Sequence, residues 1–181
     1  DKLGIQNPTW QQSPEGIDLG GWGLSVTTED IARFAQLYLQ RGVWNGERIL
    51  SEAWVADASS RQSSNGSNPH SDWEQGYGYQ FWRCRHNSYR GDGAFGQYGI
   101  IMPDQDAVLA ITSGTGDMQA VLDVVWEELL PAMQDAPLSA DLEVEQALST
   151  KLASLQLPPP QGEPSAKVAQ QISGIEYDMG E

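Results

Sequence analysis

The chain has 181 residues, with 10 Lys+Arg against 25 Asp+Glu and a formal charge of −15. Only three lysines occur, which excludes a general nucleic-acid binder that must neutralise phosphates with clustered cations. The same balance disfavours attachment to an anionic membrane surface. At 39% hydrophobic and 19% charged residues the composition is globular, and the length suits one domain with a real core, or one domain and the start of another. No apolar run approaches the roughly 20 residues that span a bilayer, and no signal peptide opens the chain. A lone Cys84 forbids an internal disulfide and zinc sites built from several cysteines, and leaves the compartment open. Asp1 in place of an initiator Met, and an apolar-rich stretch cut short at Gly180-Glu181, read as a piece of a longer protein.

Residues 1–26 are rich in Gly, Pro and Trp and end in Leu19-Gly20-Gly21-Trp22-Gly23-Leu24, the pattern of an ordered loop. Thr27 or Thr28 then caps a helix with Glu29 and Asp30 in its first turn, an apolar face of Ile31, Phe34, Ala35 and Tyr38, and Gly42 at its end. Asn45-Gly46 predicts a tight turn, and Ser51 caps a shorter helix through about Ala58. Residues 59–72, rich in Ser and Asn, read as an exposed loop. Tyr77 to Arg83 is strand-like and His86-Asn87-Ser88 a turn. Phe95 to Met102 and Ala107 to Ser113 follow as strands joined by Pro103-Asp104-Gln105-Asp106, making an antiparallel meander. A helix from Asp117 to about Leu130 carries Met118, Val121, Leu122, Val125, Trp126 and Leu129 on the face that covers the sheet. Leu142 to Leu155 is an amphipathic helix, and Pro158 to Pro164 a stiff linker. The fold class is α+β, an antiparallel sheet with flanking helices.

Chemistry concentrates in Tyr89-Arg90-Gly91-Asp92-Gly93-Ala94-Phe95-Gly96-Gln97-Tyr98. Three glycines at the mouth of a strand let a ligand approach backbone N–H groups, as an oxyanion site requires. The competing explanation is a glycine bulge with Arg90 and Asp92 as a local ion pair. Cys84, between two arginines, reads as packing, because strand alternation turns Arg83 and Arg85 away from its face. Asp104 and Asp106 fall short of the six to eight oxygens of a calcium loop, and His70 has no partner nearby in sequence. Trp73, Tyr77, Tyr79, Phe81 and Trp82 either line a pocket or fill the core. There is no Gly-x-Ser-x-Gly and no Ser-x-x-Lys, and neither histidine has an evident nucleophile beside it. The pattern is that of the second half of an active site.

Together, Gly20-Gly21-Trp22-Gly23-Leu24, Thr28 to Phe34, Trp44 to Val55, Gly76 to Trp82 and Gly93 to Gln97 resemble the serine β-lactamase-like hydrolases. The branch is that of class C β-lactamases, DD-peptidases, esterases and aminohexanoate-dimer amidases, and the resemblance covers roughly residues 1–133. It implies a partial β-lactamase/transpeptidase-like fold. The family's Ser-x-x-Lys and Tyr-x-Asn would lie upstream, leaving here the third, strand-borne motif at Gly91-Asp92-Gly93. By resemblance Gly93 and Ala94 form the oxyanion segment, with the Ala94 N–H as one donor and the absent serine's N–H as the other. Arg90, Gly91 and Asp92 would contact substrate. Gly91 stands where the family has a basic residue and Asp92 where it has a hydroxyl that grips a carboxylate. Arg90 is expected to face the other way from its strand neighbours and so not to restore the charge, which favours esters or amides over β-lactams.

The resemblance implies a catalytic part over 1–136, a helix and linker over 137–164, and over 165–181 the truncated start of a small β domain, whose opening Val168 to Tyr177 is similar to. No cofactor or metal is implied. The partners are a small-molecule or peptide-like substrate and the missing N-terminal half of the same domain, whose strands would cover an otherwise open apolar edge at 107–113. The rival reading is a non-catalytic module binding a peptide or glycan in an aromatic cleft.

Overall fold

The structure, a computed structural model, describes residues 2–157 and 166–175. Two compact units divide the chain, Asp1–Pro137 and Leu138–Glu181.

In the first unit, short strands β1 (Thr9–Trp10) and β2 (Leu24–Ser25) pair within the Gly- and Trp-rich opening segment. Helix α1 (Thr28–Leu39) starts at Thr27, whose hydroxyl accepts from the Asp30 N–H while the Asp30 carboxylate accepts from the Thr27 N–H. That reciprocal pair satisfies two donors which an uncapped first turn would leave open. β3 (Val43–Trp44) and β4 (Glu47–Arg48) form a hairpin over Asn45-Gly46, both residues at positive φ (48° and 81°), as a two-residue turn of this hand demands. Ser51 caps α2 (Glu52–Ser59) by accepting from the Trp54 N–H.

The main sheet has four antiparallel strands in sequence order: β5 (Trp82–Arg83), β6 (Tyr89–Gly93), β7 (Gln97–Met102) and β8 (Ala107–Ile111). Period-two alternation along β7 feeds two cores. Tyr98, Ile100 and Met102 join Cys84, Leu122, Val125 and Trp126 in one cluster. Ile101 joins Ala35, Tyr38, Val55, Ala58, Phe81 and Tyr89 in the other. Helices α1 and α2 thus cover one face, and α3 (Met118–Val124) covers the other. At Gly99 that packing is tight: a Cβ there would stand 3.0 Å from Ile31 Cγ2 of α1, so the Ile31 side chain would have to give by a few tenths of an ångström. Each large apolar side chain fully buried this way contributes about 1.5–3 kcal/mol.

Several local expectations are corrected. Tyr77 to Arg83 is a strand only at Trp82–Arg83; before it the backbone bonds the end of α2, with the Tyr79 N–H donating to Ala58 O at 2.9 Å. Phe95 and Gly96 belong to the turn before β7, both at positive φ (65° and 86°). The segment 59–72 is not exposed throughout, since Asp72 is fully buried. After Val124 helix α3 widens to a π-helical stretch, Val125–Leu129, and then tightens to a 3₁₀ turn at Leu130–Ala132. Phe34, placed on the buried face of α1 by its spacing, is 44% exposed.

In the second unit α4 (Leu142–Ser154) begins at Asp141, which accepts from the Glu143 and Val144 N–H groups. α5 (Ala166–Ile172) follows. The Pro158 to Pro164 linker, and residues 176–181 of the expected start of a small β domain, lie outside the described residues.

Candidate active site

The β6–β7 hairpin closes on the Gly93–Gln97 pair, leaving Ala94, Phe95 and Gly96 as a three-residue turn. Ser113 Oγ lies 2.8 Å from both Phe95 O and Gly96 O, and the Thr115 N–H donates to Phe95 O at 3.1 Å. Gln97 Nε2 donates to Ser113 O at 2.6 Å and lies 3.3 Å from Ala94 O. The Ala94 N–H enters none of these bonds.

Beside this turn is a cleft of about 640 Å³. One wall is Gly20 to Leu24 with Trp10 and Ile31; the other runs from Asp92 to Ala94 and along the start of β7. The loop wall is fixed by backbone bonds from the Gln11 N–H to Gly23 O (2.9 Å) and from the Leu19 N–H to Gln11 O (3.0 Å). The Trp10 indole N–H adds a bond to Trp22 O at 3.1 Å. Trp22 itself is 69% exposed. No Lys, Arg or His is among the lining residues.

Cross-strand partners in an antiparallel ladder share a face. Asp92 pairs with Tyr98 and Arg90 with Ile100, so the Arg90 and Asp92 side chains lie on the face of the second core. Gly91 and Gly93, paired with Gly99 and Gln97, lie on the face that carries α1. A Cβ at Gly91 would meet nothing within 4 Å. Of the sheet residues that line the cleft, Gly93 and Gly99 are glycines; Gly91 is not among those lining it.

The expectation that Arg90 faces away from Asp92 is overturned. Residues two apart on a strand point the same way, and Arg90 Nε donates to Asp92 Oδ2 at 3.0 Å. Arg90 is fully buried and does not line the cleft. Its Nη1 donates to Asp72 O (2.8 Å) and lies 3.2 Å from Cys84 Sγ, and its guanidinium stacks over Trp73 at 4.4 Å. Burial pushes the Asp92 carboxyl above its ordinary value, with the Arg90 charge pulling the other way. Burial also pushes the Cys84 thiol up to about 11, which suits packing rather than nucleophilic work.

Asp72 carries a network that sequence patterns did not disclose. It accepts from the Arg85 backbone N–H (2.8 Å), Arg85 Nε (3.0 Å), Gln119 Nε2 (2.8 Å) and the Trp126 indole (2.9 Å). Burial alone would raise its carboxyl; these donors outweigh burial and hold it below the usual carboxylate value. Of the five aromatics singled out, Phe81 is core and Tyr79 stacks on Trp54. Trp73 and Tyr77 pack edge-on to Trp82. The exposed aromatic side chains at the cleft are instead Trp10 and Trp22; Tyr98 also lines it, but its side chain is fully buried in the second core. Among the described residues no group of three or more His, Cys, Asp or Glu side chains is placed to hold a metal ion.

The site thus sits on an antiparallel sheet covered by helices on both faces, at the end of the β6–β7 hairpin. The family model described as Beta-lactamase matches residues 3–130, and the chain belongs to that family. A solved structure described as a putative 6-aminohexanoate-dimer hydrolase from Bacillus anthracis matches with a TM-score of 0.61 at 21% identity. The match covers 76% of this chain and 37% of that one, so the chain spans little more than a third of that structure's length. At this identity the likeness is one of fold. Comparison with curated proteins gives no match.

Proposed function

We propose that the chain is the C-terminal part of the catalytic domain of a serine hydrolase that works through an acyl-enzyme on esters or amides. Gly93 and Ala94 supply the oxyanion segment, Gly91 and Asp92 form the strand along which substrate lies, and nucleophile and base come from the missing N-terminal half. The observation that carries this reading is the Ala94 N–H, which makes no hydrogen bond among the described residues, in a clamped turn at the edge of the cleft. A preorganised donor of that kind is worth roughly 3–4 kcal/mol of transition-state stabilisation. The preference for esters or amides is supported by charge. A carboxylate-bearing lactam needs a cation at the cleft, and Arg90 is buried and paired to Asp92 instead.

The test joins this chain to its upstream half. The expected result is labelling of the joined protein by a serine-directed phosphonate, and hydrolysis of a p-nitrophenyl ester faster than of a chromogenic cephalosporin. The isolated chain should stay unlabelled, because nucleophile and base together account for most of the rate. Labelling of the isolated chain overturns the reading. An upstream frame without Ser-x-x-Lys and Tyr-x-Asn favours the second one, a non-catalytic binder of peptide or glycan, for which exposed Trp22 and Trp10 at the cleft are the supporting observation.

A further inference from the structure

All three carbonyls of the 94–96 turn have a donor within hydrogen-bond distance: Gln97 Nε2 for Ala94 O, the Thr115 N–H for Phe95 O, and for Gly96 O the Ser113 hydroxyl, whose single proton reaches either Gly96 O or Phe95 O. Phe95 holds a left-handed φ of 65° and is 64% exposed. A non-glycine residue in that region costs on the order of 1–3 kcal/mol and persists only where its surroundings over-determine it. Packing of the exposed Phe95 ring does not supply that constraint; the polar clamp does. The clamp is itself anchored, since Thr112 Oγ1 lies 3.1 Å from Thr28 Oγ1 at the start of α1. Gln97 Nε2 then ties Ser113 back to the turn through Ser113 O.

Fixing the carbonyls on the C-terminal side of Ala94, while the Gly93–Gln97 pair fixes the other side, leaves the Ala94 peptide little freedom to rotate. We propose that Ser113 and Gln97 are positioning residues that hold the Ala94 N–H in the orientation of an oxyanion donor. The inference rests on the hydrolase reading for what that donor does. Orientation matters because a donor must sit about 3 Å from the developing charge, and a misplacement of about 1 Å costs on the order of a hundredfold in rate.

The experiment has two arms. In the first, amide spectra of the isolated chain are compared for wild type, Ser113→Ala, Gln97→Glu and Ser113→Thr. The alanine and glutamate variants are expected to move the Ala94, Phe95 and Gly96 amides and the Phe95 backbone coupling, with Ile100 to Met102 unchanged and threonine restoring the wild-type pattern. In the second arm the same variants are made in the chain joined to its upstream half. Ser113→Ala and Gln97→Glu should each lower kcat at least about tenfold with KM nearly constant, and threonine should recover it. Unmoved Ala94 amides in both variants overturn the proposal, and so does a lowered unfolding midpoint with unaltered kcat. Absence of phosphonate labelling in the joined wild type overturns the hydrolase reading, whereas labelling with unchanged kcat in both variants overturns the clamp alone.

Discussion

Arg90 Nε donates to Asp92 Oδ2 at 3.0 Å, from residues two apart on the same face of β6. The pair is buried, Arg90 completely and Asp92 to 13% exposure of its side chain. Removing one member strands the other in an apolar setting beside Trp73 and Trp82. Such losses run to about 3–5 kcal/mol, much of it the cost of the unpaired charge. Arg90→Met and Asp92→Asn should each destabilise by about that amount in urea unfolding, and the double variant by clearly less than their sum. Strict additivity would show that the two side chains are not coupled.

Asp72 contributes to the acid limb of stability, as does Asp30, whose carboxyl is held low by its hydrogen bond from the Thr27 side chain. The Asp72 carboxyl lies below the ordinary value in the folded chain, because donors from Arg85, Gln119 and Trp126 outweigh burial. A depressed folded value contributes stability that is complete above the unfolded value, about 3.9, and is lost as pH falls through the folded one. Asp92 has the opposite sign: its raised value favours folding at low pH, and that part is lost as pH rises through the folded value. Asp72→Asn should therefore flatten the decline of stability below about pH 4 while lowering stability at pH 7 by about 3–5 kcal/mol. Urea midpoints across pH 2–7 that fall in parallel for both proteins would contradict this assignment.

Local elements were legible because local physics decides them. Thr27 and Ser51 cap the helices that their sequences announce, and Asn45-Gly46 turns where two adjacent positive φ values are needed. The family resemblance, carried by five ordered blocks, pointed to the β-lactamase fold that the family match establishes. Long-range polar structure was not legible. Asp72 gathers donors 13, 47 and 54 residues away, and no periodicity records such distances. The aromatic run Tyr77 to Phe81 has strand composition, yet its backbone bonds the end of α2, a tertiary override of propensity. Strand alternation places Arg90 and Asp92, two apart, on one face, yet the expectation from sequence sets them facing apart and keeps their ion pair only as the competing explanation. The clamp on Ala94 depends on Ser113, whose nearness to the turn follows only from the β7–β8 pairing.

Two glycines flanking the candidate site should respond in opposite ways to the same added methyl. Gly96 has φ 86°, and a Cβ there would lie 2.3 Å from Ser113 Oγ, so Gly96→Ala should cost about 1–3 kcal/mol and disturb the turn. Gly91 has an ordinary φ and open space where its Cβ would stand, so Gly91→Ala should leave stability within about 0.5 kcal/mol. Thermal unfolding of the two variants separates these outcomes. Equal losses would mean that the space beside Gly91 is filled in solution.

The free side of β8 gives the last prediction. Among the described residues β8 pairs only with β7, and its five residues, Ala107 to Ile111, are all apolar with no Lys or Pro. Edge strands lacking such charged or imino residues offer unpaired N–H and C=O groups as a template for another strand. The isolated chain should therefore self-associate as concentration rises, with alternate amides of 107–111 exchanging fast in the monomer and slowing on association. Joining the upstream half should suppress both effects by covering the edge. Sedimentation and hydrogen exchange on the two proteins decide the matter: a monodisperse monomer of the isolated chain with every amide of 107–111 protected would show that the edge is already covered.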